Sequence, residues 1–150
     1  KAIRRQRQMC IRDRLRAVLI SDLITIHQKT GIGRLSAFCG ATSAGIGAAC
    51  GIAWLDGGDY EVIAHTIVNG LAILSGMVCD GAKPSCAAKI ATAVRNGLLG
   101  YQMYRQGCQF YGGDGIVTKG VENTIANVGR LANRGMRSTD CEILNIMIGN

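Results

Sequence analysis

Proline is nearly missing from this sequence: Pro84 is the one instance in 150 residues. So little proline suits long helices. Apolar–polar alternation never persists long enough for a strand, and no segment repeats, so the expected fold class is all-α. No secretory leader pattern is visible. The seven cysteines, Cys10, Cys39, Cys50, Cys79, Cys86, Cys108 and Cys141, are odd in number and irregular in spacing. That is a poor disulfide framework, and metal ligation in a reducing cytoplasm is the better expectation. The glycine-rich run at 112–115 lacks phosphate-loop spacing, so nucleotide binding is not expected.

Charge is absent over 35–55 and again over 62–79. Length alone would admit both as membrane spans. Their composition argues otherwise. The first is mostly glycine, alanine and serine, and the second contains His65, Thr66, Asn69 and Ser75. Buried helices of a soluble protein are expected, with no membrane partner.

What charge there is collects at one end. Lys1, Arg4, Arg5, Arg7, Arg12, Arg14 and Arg16 face only Asp13, which accounts for +6 of the total +7. This arm has no aromatic residue for base stacking and no apolar stripe, so nucleic acid is not an expected partner. Residues 1–16 read as a basic arm, non-native or disordered, and 17–150 as the domain. The chain starts at Lys1 rather than Met, which reads as a C-terminal fragment of a longer protein.

Glycine is abundant, at 21 residues, and weakens helices unless backbones must approach closely. Leu15, Val18, Leu19, Leu23 and Ile26 predict a helix over 15–29 with those side chains as its core stripe, ended by Gly31 and Gly33. A second helix over 42–55, capped by Thr42 or Ser43, carries Gly47 and Gly51 on one face. It reads as the central helix of a tightly packed domain. Asp59 caps a third, over 60–77, with Tyr60, Ile63, Ala64, Ile67, Leu71 and Leu74 inward and Glu61, His65 and Asn69 on another face. Pro84 opens a fourth, over 84–105, with Ala88, Ile90, Ala91, Val94 and Leu98 on its apolar side. Val121, Ile125, Val128 and Leu131 mark a fifth, ended by Gly135. Thr139 and Glu142 form a capping box for a short last helix.

On this reading Cys39 precedes the second helix, Cys79 follows the third, and Cys86 sits in the first turn of the fourth. Thiolate is the metal-binding form, and helix N-termini favour it. Gly40 and Gly81 would let backbone come close to a bound group. The interval of six residues between Cys79 and Cys86 is neither a standard zinc nor a ferredoxin spacing. By itself it leaves a cluster, a structural zinc and inert thiols all open.

The wider pattern adds a resemblance. Residues 29–41 (KTGIGRLSAFCGA) and 76–86 (GMVCDGAKPSC) resemble the cluster-binding segments of the L-cysteine desulfidase family. That family is related to the α-subunit of iron–sulfur-dependent L-serine dehydratases. Shorter runs at 57–61, 65–67 and 114–116 extend the resemblance to about 17–149. Both cysteine intervals fit the desulfidase pattern, whereas serine dehydratases have a longer loop between the last two ligands.

The resemblance implies that Cys39, Cys79 and Cys86 each ligate one iron of a 4Fe-4S cluster, leaving the fourth iron free as a Lewis acid. It implies a lyase of the cytoplasm that converts L-cysteine to pyruvate, ammonia and sulfide. A serine dehydratase α-subunit and a non-catalytic metal-binding domain are the alternatives. The partner is then a small amino acid, and homo-oligomerisation stays open. Full-length members carry a long N-terminal portion expected to supply substrate contacts and the α-proton base. No catalytic base is assigned here, and the fragment alone is expected to be inactive.

Other residues read more plainly. Cys50 is a small packing residue, Cys108 and Cys141 are incidental, and Cys10 belongs to the arm. His65 faces either an active site, oriented by Glu61, or solvent. His27 is a packed or surface residue. Asp80 and Lys83 orient ligands, contact the substrate carboxylate or form a solvated loop, and Asp114 makes a turn.

Overall fold

Small residues decide how this chain packs. In the computed structural model, a Cβ added at Gly45 would lie 2.3 Å from the backbone carbonyl carbon of Ala93. One at Gly47 would lie 2.5 Å from the Ser21 carbonyl oxygen. Both positions sit on one helix, and two other helices lie backbone-close against it. The structure describes residues 10–149. The first nine positions of the expected basic arm fall outside them.

Among the described residues there are six α-helices, α1 (Ile11–Ile32), α2 (Gly40–Leu55), α3 (Tyr60–Ile73), α4 (Ser85–Arg105), α5 (Val121–Arg130) and α6 (Arg137–Ile148). A π turn, Leu131–Gly135, joins the last two. The all-α expectation holds, with no sheet among these residues. No helix among them is long and apolar enough to cross a membrane.

Helix α2 is central, as expected. It packs on α1 through Gly47 and Gly51, on α4 through Gly45 and Ala49, and on α3. Beside it lies a core of Ile32, Phe38, Ile46, Cys50, Ile67, Leu71, Ile125 and Val128. Asn69 is fully buried and ties α3 to its surroundings. Its amide donates to the Gly100 carbonyl (3.0 Å), and its oxygen accepts from the Phe110 amide (3.1 Å).

Several local expectations are corrected. Helix α1 starts at Ile11, inside the expected arm, and runs past Gly31 to Gly33, whose φ of 93° ends it. Its expected core stripe is on the outside: Leu15, Val18, Leu19, Leu23 and Ile26 are each more than half exposed. The face that packs instead carries Ala17, Gln28 and Ile32. Helix α4 likewise packs through Ala93, Asn96, Gly97, Gly100 and Tyr101, not through Ala88, Ile90 and Ala91. In both helices, small residues that let backbones touch outcompete a bulkier apolar face. Helix α3 ends at Ile73, and Tyr60 is exposed. Asp59 does cap it, accepting from the Val62 amide at 3.2 Å. Thr42 and Ser43 lie inside α2, whose N-cap is Cys39. Thr139 lies inside α6 and caps nothing.

Candidate functional site

The chain from 36 to 39 is an extended stretch pinned from both sides. The Ser36 hydroxyl donates to the Ala132 carbonyl (2.8 Å) and accepts from the Phe38 amide (3.0 Å). Phe38 forms an isolated antiparallel bridge with Val78. The Cys39 amide donates to the Met77 carbonyl (2.9 Å), and the Cys79 amide to the Ala37 carbonyl (2.6 Å). Two cysteines forty residues apart in sequence are thereby held on neighbouring strands of backbone.

Cys86 lies in the first turn of α4. Its thiol donates to the Gly81 carbonyl at 3.5 Å, closing the loop between Cys79 and α4. Lys89, one turn on, binds the Val78 carbonyl (2.9 Å) and the Asp80 carboxylate. Lys83 pairs with the same carboxylate at 2.7 Å. The hydrogen bonds from Lys83 and then Lys89 hold the Asp80 carboxyl down at about 2. The Lys89 ammonium is held above its ordinary range, chiefly by its hydrogen bond to the Asp80 carboxylate. Asp80 and Lys83 form a local ion pair within the loop between Cys79 and α4.

Cys39 is buried, whereas Cys79 and Cys86 are half-buried. Just behind Cys39, in the first turn of α2, the hydroxyls of Thr42 and Ser43 are fully buried and without hydrogen-bond partners. The first amides of α2, at Gly40 and Ala41, have no intrahelical acceptor. Lys29 reaches in from α1, with its Nζ 3.8 Å from where a Gly40 Cβ would stand. Met147 of α6 lies close to Gly81 on the other side. Among the described residues, no three His, Cys, Asp or Glu side chains are grouped so as to hold a metal ion.

The remaining candidates lie elsewhere. Cys50 is fully buried in the core, and burial pushes its thiol up to about 12. Cys10, Cys108 and Cys141 are exposed. His65 stacks on Tyr104 (centroids 4.3 Å apart, planes 9° apart) and stands 3.8 Å from Glu61. Tyr104 is 18 residues beyond Cys86 on the same helix, about 27 Å along its axis. His65 is therefore at the opposite end of α4 from the cysteines, beside a separate cavity of about 310 Å³ that Glu61, Phe110 and Tyr111 also line. His27 is a surface residue bonded to Glu122 at 2.7 Å. Asp114 makes its turn, accepting from the Tyr111 amide at 2.7 Å. Lys89 was missed in the sequence. Its signal was its place one turn after Cys86, on the same face of a helix whose N-terminus was legible.

The chain matches known proteins along nearly its whole length. A family model described as serine dehydratase alpha chain matches residues 1–145. A UPF0597 protein of Desulfitobacterium hafniense is 67% identical over 133 residues, which is 89% of this chain and 31% of that protein. UPF0597 proteins of Treponema denticola and Finegoldia magna are each 50% identical, again over 89% of this chain and 31% and 32% of their own lengths. The chain thus spans about a third of the length of the curated relatives it matches. No solved structure matches it.

Proposed function

This chain belongs to the serine dehydratase alpha chain family, and from that premise we propose that it is the cluster-binding part of an iron–sulfur amino-acid lyase, with L-cysteine as substrate. The reaction consumes cysteine and water and yields pyruvate, ammonia and sulfide. A proton leaves Cα, the Cβ–S bond breaks, and water hydrolyses the resulting enamine through its imine form.

The observation that carries the reading is the backbone pairing of 37–39 with 77–79, which sets Cys39 and Cys79 on adjoining backbone, while Cys86 closes onto the Gly81 carbonyl of the same loop. Thiols at helix ends are the donor type an iron–sulfur cluster takes. In a cluster each thiolate binds a different iron, so its ligands stand farther apart than those of a single ion. The first amides of α2 are free donors for a group seated at Cys39. Cys39, Cys79 and Cys86 would hold a 4Fe-4S cluster, whose iron without a thiolate supplies a Lewis acid when bound.

The chain's own residues bind and orient. The Asp80–Lys83–Lys89 network fixes the loop that presents Cys79 and Cys86. Lys29 brings positive charge to the start of α2 and Lys89 to the Cys79 loop, which suits an anionic cluster and the carboxylate of an amino acid. The α-proton base is assigned to the two thirds of the relatives' length that this chain does not span.

The test is anaerobic reconstitution with iron and sulfide, followed by absorbance and acid-labile sulfide analysis. Cys39→Ser, Cys79→Ser and Cys86→Ser should each abolish cluster retention, and Cys50→Ser should not. Equal loss with Cys50→Ser, or zinc without labile sulfide, defeats the ligand assignment. A second reading, L-serine as substrate, is favoured by the description of the matching family itself. Sulfide release from cysteine against pyruvate release from serine, in a full-length relative, separates the two.

A further inference from the structure

Helix α1 is apolar on two sides. One side packs inward through Ala17, Ile20, Ile24 and Ile32. The other carries Ile11, Leu15, Val18, Leu19, Leu23 and Ile26, which are 57–67% exposed. At 100° per residue these six fall on one continuous face of the helix, about four turns long. The stripe continues at its C-terminal end into an apolar groove of about 460 Å³ lined by Thr25, Ile26, Lys29, Thr30, Gly33 and Arg34. Lys29, in that groove, is the residue whose Nζ lies beside Gly40 and hence next to Cys39.

We propose that this stripe and groove are the seat of the rest of the polypeptide, the two thirds of the relatives' length that this chain does not span. Relatives 67% and 50% identical carry that length on the same chain. A covalently attached segment has a high effective concentration at a neighbouring apolar face. A second copy of this chain is the other occupant such a face could take, and the crosslinking below separates the two. Asp22 falls on the same face, so the seat requires one basic or hydrogen-bonding group opposite it. The groove leads such a segment from the N-terminal end of α1 to the edge of the Cys39 turn. The inference stands whether or not the cysteines hold a cluster.

The experiment produces this chain, tagged, in the same cells as an untagged polypeptide comprising the part of the Desulfitobacterium hafniense relative outside the matched 133 residues. The tagged chain should retain that polypeptide through purification. Leu19→Glu with Leu23→Glu should lower its recovery at least tenfold, while Leu144→Glu with Ile148→Glu, exposed on α6, should not. Thermal unfolding of the Leu19→Glu/Leu23→Glu chain should match the parent, since both side chains are on the outside. A photo-crosslinking residue placed at position 19 of the otherwise unaltered chain should bond to the added polypeptide. Failure of the parent chain to retain it, unchanged recovery with the double variant, or crosslinking from position 19 only to a second copy of this chain would each overturn the proposal.

Discussion

Cys50 shows what burial alone does to a thiol. It has no exposed surface, and its sulfur has only a long contact to the Ile63 carbonyl, at 4.0 Å. Nothing there stabilises a thiolate, so ionisation is deferred from 9.0 to about 12. The sign follows from linkage. As pH rises past 9 the unfolded chain loses this proton first, so the folded state binds more protons and stability falls between pH 9 and about 12. Denaturant midpoints of the parent and of Cys50→Ala, measured from pH 8 upward, should converge as pH rises. Parallel curves would remove the thiol from the account. Lys89 is the opposite kind of residue, valuable for what it grips. Lys89→Met frees the Val78 carbonyl and leaves Asp80 to Lys83 alone. Amide exchange over 79–83 should accelerate markedly while the amides of α2 keep their protection. Unchanged loop exchange would mean that Lys83 suffices.

At the level of the helix, close approach matters more than bulk. Gly45→Ala would drive a methyl into the Ala93 backbone, with contacts of 2.3–2.7 Å. Overpacking of that kind costs roughly 1–3 kcal/mol, and the rigid partner here points to the upper part of the range. Gly76→Ala meets nothing within 4 Å and should be neutral or mildly stabilising. Calorimetric midpoints should rank Gly45→Ala well below the parent and Gly76→Ala at or above it. The same principle explains what the sequence hid. The stretch 42–55 was legible as a central helix because its small residues recur four apart, a pattern with one physical use. The packing faces of α1 and α4 were not legible. A row such as Leu15, Leu19, Leu23 says that a face is apolar, and cannot say whether another element covers it. In α4 the buried set Asn96, Gly97, Gly100 is polar or tiny and leaves no apolar periodicity to read.

Over the whole molecule, the sequence by itself determined the helical class, the central glycine-rich helix, and the placing of Cys39 and Cys86 at helix N-termini. Each depends on local preference: spacing, caps and the scarcity of proline. The resemblance of 29–41 and 76–86 pointed to relatives of the serine dehydratase α-subunit, and the serine dehydratase alpha chain family is the one whose model matches. Only the tertiary structure decided which of those local pieces meet. Backbone pairing across forty residues brings Cys39 to Cys79, while His65 is carried to the far end of α4, away from them. It also decided that the leucine stripe of α1 faces outward. Long-range pairings and vacant faces are set by how backbones fit against one another, a property of the assembled chain that no local spacing records.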